Sequence, residues 1–129
     1  MDELSRTFRA LAEPARLRIL NLLIRSPFCV CELEQALGLS QPLLSRHLSY
    51  LRNCGLVESR RDGMRVNYKL NRKHPYLSRL HDFLARTLRD DAIGRGDLAR
   101  FSKHPLGPAP RGRLVGRKRM HSRVKFGAA

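Results

Sequence analysis

The stretch that decides the fold is "SQPLLSRHLSYLRNCGLVESRRDGMRVNYKL", Ser40 to Leu70. Its first half has helical spacing, with Leu44, Leu48 and Leu51 returning every three or four residues. Ser40 is a good N-cap, and Pro42 falls in the first turn, where proline is tolerated. The helix runs to about Asn53, and Gly55 is its stop. The second half changes period. Leu56-Val57 on one side and Val66, Tyr68 and Leu70 on the other flank Asp62-Gly63, a hairpin signal.

Upstream, a short helix is expected over roughly Val30 to Leu37, with Leu33, Ala36 and Leu37 as its apolar face. Glu32 and Glu34 suit the positive end of its dipole, and Gly38 is a natural C-cap. Before it, "PARLRILNLLI" places Leu17, Leu20, Leu23 and Ile24 on one side, and Ser26-Pro27 ends that helix. Leu4, Phe8 and Leu11 mark a first helix. Downstream, after Pro75, Leu77, Leu80, Leu84 and Leu88 restore helical spacing, with Phe83 beside them. The expected fold is mainly α with a β-hairpin wing (α+β): four helices, the hairpin, then a fifth helix. Short helix, tight glycine turn, longer helix and hairpin is the layout of a winged helix-turn-helix.

From about Gly94 the chain turns Gly-, Pro- and Arg-rich and aperiodic. Residues 1–92 read as one domain and 93–129 as a basic, disordered tail. The whole chain has 26 Lys and Arg against 11 Asp and Glu, a formal +15. Residues 1–91 hold 16 basic and 10 acidic side chains, and residues 92–129 hold 10 and 1. Nucleic acid is the first polyanion such a chain would meet, and an anionic membrane surface is the second. Three cysteines, no signal peptide at "MDELSRTFRA" and no long apolar run point to the reducing cytoplasm and to no membrane partner.

The fourth helix supplies a polar face. Gln41, Ser45, Ser49 and Arg52 cluster on one side with Arg46 at its edge. Gln can pair with adenine, Arg with guanine, and Ser with base or phosphate. Arg60, Arg61 and Arg65 near the hairpin tip suit phosphate or the minor groove. An ordinary solvated face and a soluble turn are the plainer readings of the same residues. The cap, the hairpin and the charge shift the balance to double-stranded DNA.

Cys29 and Cys31 form a C-x-C pair just before this element. Thiolates are soft ligands and favour As(III), Sb(III), Cd, Pb, Zn or Cu(I) over Mg or Ca. A closed zinc site wants four ligands, which the pair alone does not provide. Cys54 is the remaining thiol and a candidate third ligand, although it reads more readily as a small buried hydrophobe. His74, His81, Asp82, Asp90 and Asp91 read as surface residues. Cys54 to Arg60 fits the C-x5-R spacing of a phosphate loop. A wing strand occupies that stretch, and Glu58 would repel the substrate, so no enzyme is expected. No Walker or dinucleotide fingerprint appears.

"CVCEL", "SQPLLSRHLSYLRNCGLV" and "EPARLRIL" together resemble the ArsR/SmtB family of bacterial metal- and metalloid-sensing repressors, over roughly residues 3–90. "CVCEL" looks like the family's arsenic-sensing box. The resemblance implies a homodimeric repressor of an arsenic-resistance operon that needs no cofactor to bind its operator. It implies release when As(III) or Sb(III) binds Cys29 and Cys31. It also implies dimer contacts from the terminal helices, here the stripes Leu4/Phe8/Leu11 and Leu77/Leu80/Leu84/Leu88. These stripes equally fit an intramolecular core. Glu34 stands where the best-known box has a third cysteine, so water or another donor must complete a three-ligand site. Other readings are a repressor triggered by another soft metal or by thiol oxidation, and a non-sensing basic nucleic-acid binder. Residues i and i+2 of a helix diverge by ~200°, so two thiols sharing one ion are expected to unwind the start of the third helix.

Overall fold

Short connections and firm caps set the centre of the molecule, whose computed structural model describes residues 1–103, with side chains through Phe101. In chain order these form α1 (Asp2–Leu11), α2 (Pro14–Leu23), β1 (Phe28–Cys29), α3 (Val30–Leu37), α4 (Gln41–Asn53), β2 (Val57–Asp62), β3 (Arg65–Leu70), α5 (Pro75–Thr87) and α6 (Ala92–Lys103). The helices and hairpin expected from the periodicity are all present. Gly38 closes α3 in the left-handed region at φ 68°, and the Ser40 side chain accepts from the Leu43 N–H at 3.4 Å to open α4.

The sheet is antiparallel in the order β1-β3-β2. The two-residue β1 is an addition to the expected hairpin, pairing Phe28 with Tyr68 and Cys29 with Asn67. So short a strand carries no alternation to read. The hairpin turn also sits one residue later than Asp62-Gly63. Asp62 pairs with Arg65, so the loop is Gly63-Met64, and Gly63 at φ 65° supplies the positive φ that a two-residue loop needs at its first position.

The core is built from aliphatic side chains of α2, α3 and α4 with Phe28, Tyr68, Leu77 and Leu84. Ile19 to Leu23 are all buried, Asn21 included, so this end of α2 is covered all round rather than on one stripe. The expected apolar stripes divide. Leu77 and Leu84 enter the core, whereas Leu4, Phe8 (59% exposed) and Phe83 (61%) face outward. His81, expected at the surface, is buried, with Nε2 3.0 Å from the Asn71 carbonyl oxygen. Burial lowers its pKa from the ordinary histidine value.

The domain boundary expected at residue 92 is corrected by α6. Two glycines and sparse apolar residues hide this helix from a periodicity search, yet it is docked. Asp91 caps it by accepting from the Gly94 N–H at 3.0 Å. A Cβ at Gly94 would meet Asn21 Nδ2 at 2.9 Å, so glycine there lets α6 lie close to α2. Phe101 is buried against Phe28, edge to face, with ring centroids 4.2 Å apart. Asp97 is fully buried and pairs with Arg18 of α2 at 2.8 Å and with Arg100. Arg18 also donates to the Leu37 carbonyl at 2.8 Å, and Arg100 to the Ala36 carbonyl at 2.9 Å. Two guanidiniums thus satisfy the C-terminal carbonyls of α3, where the helix dipole favours positive charge. The remainder of the expected tail, 104–129, lies outside the described residues.

Phe101→Ala is expected to lower the unfolding free energy by about 3 kcal/mol, the low end for truncating a buried phenylalanine. Urea unfolding followed by circular dichroism measures it; a loss under ~1 kcal/mol would mean that α6 does not pack as described.

Candidate functional site

Cys29 is both the last residue of β1 and the N-cap of α3, with extended backbone at φ −85°, ψ 164°. Cys31 is the second residue of α3. The two sulfurs lie 2.7 Å apart and are not joined in a disulfide. The ~200° divergence of i and i+2 applies only when both residues are helical. Here the first is a strand residue, so the thiols already converge. The expected unwinding of α3 is therefore not required. The Glu32 side chain fixes the junction from inside, its Oε1 accepting from the Cys29 N–H at 2.9 Å.

The two thiols are unlike. Cys29 is 1% exposed and Cys31 is exposed. Burial first, then the bond to Cys31, pushes the Cys29 thiol up to about 11, against an opposing pull from Arg65. A helix N-terminus alone would lower it, but burial wins here. Cys29 thus lacks the low pKa that an oxidant-sensing thiol needs.

Arg65, expected to touch DNA, donates from Nη2 to Cys29 Sγ at 3.0 Å. Cys29, Cys31, Gln41, Ser45, Arg61 and Arg65 line one cleft of about 370 Å³, together with Glu34 and Met64. The thiol pair, the first turn of α4 and the wing therefore meet in one place. Sequence reasoning missed Met64, 96% exposed at the wing tip; an apolar residue inside a hairpin loop was the available signal. Glu34 reads from the sequence as a helix-dipole acid and as the replacement of a third cysteine, neither of which places it in the cleft.

The other expected site residues lie around this cleft or away from it. Arg46 is exposed and Ser49 half-buried on α4. Arg52 donates to Ser59 Oγ of β2 at 3.3 Å, bracing the wing on α4. Arg60 pairs opposite Asn67, and strand alternation puts it on the face opposite Arg61. Cys54 is the C-cap of α4, and its thiol lies 3.8 Å from the Arg6 carbonyl of α1. Among the described residues no three of His, Cys, Asp and Glu form a group that could hold a metal ion. Cys54 is therefore not grouped with Cys29 and Cys31 among the described residues.

An eight-residue helix, a glycine turn, a capped thirteen-residue helix and a two-stranded wing make this a winged helix-turn-helix regulator. The family described as "Bacterial regulatory protein, arsR family" matches residues 13–59. The chain is 44% identical over 69 residues to a probable mercury resistance operon repressor of Streptomyces lividans, covering 54% of this chain and 55% of that one. It spans about half the length of that relative. It is 45% identical over 94 residues to the arsenic resistance transcriptional regulator ArsR2 of Pseudomonas putida, covering 71% of this chain and 79% of that one. The solved homodimeric winged helix-turn-helix DNA-binding domain Mb0332 of Mycobacterium bovis matches with a TM-score of 0.60 at 31% identity, covering 73% of this chain and 84% of that one. The chain belongs to the ArsR family. Its family and its structural neighbours are DNA-binding transcriptional regulators. No helix among the described residues is long and apolar enough to cross a membrane.

Brief alkylation at neutral pH should label Cys31 before Cys29, because Cys31 is exposed while Cys29 is buried with its thiol held up to about 11. Peptide mass spectrometry reads the order. Equal rates, or Cys29 first, would overturn the burial and charge assignment of this pair.

Proposed function

We propose that the chain is a homodimeric repressor of an arsenic-resistance operon, released from its operator when As(III) or Sb(III) binds Cys29 and Cys31. One observation carries the reading: Cys29 and Cys31, their sulfurs 2.7 Å apart, both line the cleft shared with Gln41 and Ser45 of α4 and with Arg61 and Arg65 of the wing. Gln41, Ser45 and Arg46 face the major groove, with Ser49 and Arg52 beside them. Arg60, Arg61 and Arg65 approach the backbone or minor groove. The exposed Leu4, Phe8 and Phe83 give α1 and α5 an apolar surface for a second copy, and the similar Mb0332 domain is homodimeric.

Adjacent sulfurs on one side of an ion suit a pyramidal ligand such as As(III) or Sb(III) better than a linear one. With As(OH)3, two As–O bonds are exchanged for two As–S bonds. The two thiol protons leave in two water molecules, and the third oxygen stays as hydroxide. Nothing further from the chain is required, which fits a box with Glu34 in place of a third cysteine. A second reading, with mercury or another soft metal as inducer, is favoured by the name of the Streptomyces lividans relative. The raised thiol of Cys29 speaks against oxidation as the trigger.

Operator titrations by fluorescence anisotropy, using DNA from upstream of the chain's own coding sequence, test the reading. Arsenite should weaken binding by roughly 5–150-fold, the range of ordinary allosteric coupling. Cys29→Ser and Cys31→Ser should bind DNA and ignore arsenite, while Cys54→Ser should respond. A retained response in the Cys29/Cys31 double variant would sink the proposal.

Residues 104–129 carry 7 Lys and Arg and no Asp or Glu. Deleting them should weaken operator and random DNA alike and flatten the salt dependence, as loss of phosphate neutralisation does. A loss of operator preference alone would contradict a non-specific role. Gln41→Ala should instead cost discrimination, about 1–3 kcal/mol at one base pair, read as the ratio of operator to random-DNA affinity.

A further inference from the structure

Arg65 occupies an unusual position for a wing residue. It sits opposite Asp62 in the last rung of the hairpin before the Gly63-Met64 loop. Two residues further along β3, Asn67 pairs with Cys29 of β1. Residues two apart on a strand share a face, so Arg65 overhangs the end of β1 on the Asn67 side. Its guanidinium there donates to Cys29 Sγ at 3.0 Å. Among the described residues no ion pair ties Arg65 to a carboxylate; Glu32 acts on it only through its charge.

We propose that Arg65 is the positioning residue that passes the ligand state of Cys29 directly to the wing, an inference that rests on the function proposed above. While the thiol is free, its sulfur accepts the Arg65 N–H and holds the last rung of the wing beside Gln41, Ser45 and Arg61 in the shared cleft. A soft ion bonded to Cys29 replaces the thiol proton with a far bulkier group and crowds the sulfur that accepted this hydrogen bond. It also places an electropositive centre beside the guanidinium. Arg65 then leaves the sulfur for water, since its side chain is exposed, and the wing tip loses its tether to the sensor. The path is one hydrogen bond long and needs no change in α3.

The bond also makes geometric sense of which arginine does this. Arg61 lines the same cleft from β2, one rung further from the loop, opposite Val66. No bond joins Arg61 to either sulfur among the described contacts, so it serves as the control. Arg61→Gln removes a wing charge of the same kind and leaves the Arg65–Cys29 bond in place.

The test measures operator affinity with and without arsenite for the full chain, Arg65→Gln, Arg65→Lys and Arg61→Gln. Protection of Cys29 and Cys31 from alkylation by arsenite reports ligand binding independently. The wild-type ratio of affinities should be roughly 5–150. Arg65→Gln should bind DNA more weakly, keep arsenite protection, and show a ratio under about 2, within the scatter of independent sites. Arg65→Lys keeps the charge without the planar fork and should also respond less than wild type, which covers the case of a poorly folded Gln variant. Arg61→Gln should bind weakly but keep the wild-type ratio. An unchanged ratio in both Arg65 variants, beside a responsive wild type, overturns the coupling and leaves the proposed function standing. Loss of arsenite protection in both Arg65 variants also overturns it, because Arg65 would then belong to the ligand site. A wild-type chain that ignores arsenite overturns the proposed function and this coupling with it.

Discussion

One residue, Cys29, has to end a strand and begin a helix, and much of the molecule depends on how it does so. Its extended backbone keeps β1 in register with β3 through Asn67. Its N–H, which α3 cannot satisfy, goes to the Glu32 carboxylate. With strand geometry before it and helix geometry after it, its side chain turns toward Cys31 rather than away. It also falls within reach of Arg65. A helix begun one residue earlier would lose the strand pairing and separate the sulfurs; one begun later would lose the Glu32 cap. The thiol pair, the sheet edge and the entry to the helix-turn-helix are one local solution.

The rest of α3 is held just as firmly. A helix of eight residues is marginal alone in water, so its stability is tertiary. At its C-terminal end Arg18 and Arg100 fill the last carbonyls, and buried Asp97 orients both guanidiniums. At its N-terminal end Phe101 closes over Phe28, the residue before Cys29. Helix α6 therefore grips α3 at both ends. Fraying the first turn would expose the Phe28–Phe101 contact and break the Glu32 cap together. A ligand at Cys29, if bound as proposed, would meet less resistance in the wing tip, where Arg65 and Met64 are exposed, than in α3. That difference in local stability would direct the response toward the hairpin.

The fold was legible where one physical signal dominated. Leucine spacing fixed α4 and α5, Ser40 and Gly38 fixed the turn between α3 and α4, and the change of period revealed the hairpin. What stayed hidden depended on partners distant in sequence. Phe101 is one aromatic residue among glycines and arginines until Phe28 is found beneath it. Asp97 looks like a stray acid until Arg18, 79 residues earlier, reaches it. Strand β1 exists only because β3 offers an edge. At the candidate site the features were readable one by one: a thiol pair, a polar face on α4 and arginines on the wing. Their convergence was not, because periodicity does not say which of several arginines folds back onto a sulfur.

That convergence constrains how a sensor of this kind would operate. The cleft shared by Cys29, Cys31, Gln41, Ser45, Arg61 and Arg65 brings the proposed ligand pair and the proposed DNA-reading residues together, so no long pathway between separate sites would be needed. Binding linkage is reciprocal: whatever factor a ligand takes from DNA affinity, DNA takes from ligand affinity. The operator-bound chain and the free chain would then respond at different ligand concentrations, separated by the coupling factor. Buried Cys29 and exposed Cys31 add an order of events. If the pair binds an ion as proposed, the accessible thiol would meet it first, and the buried one would close the chelate at the point where Arg65 is bound. The step that completes ligand binding would then be the same step that frees the wing.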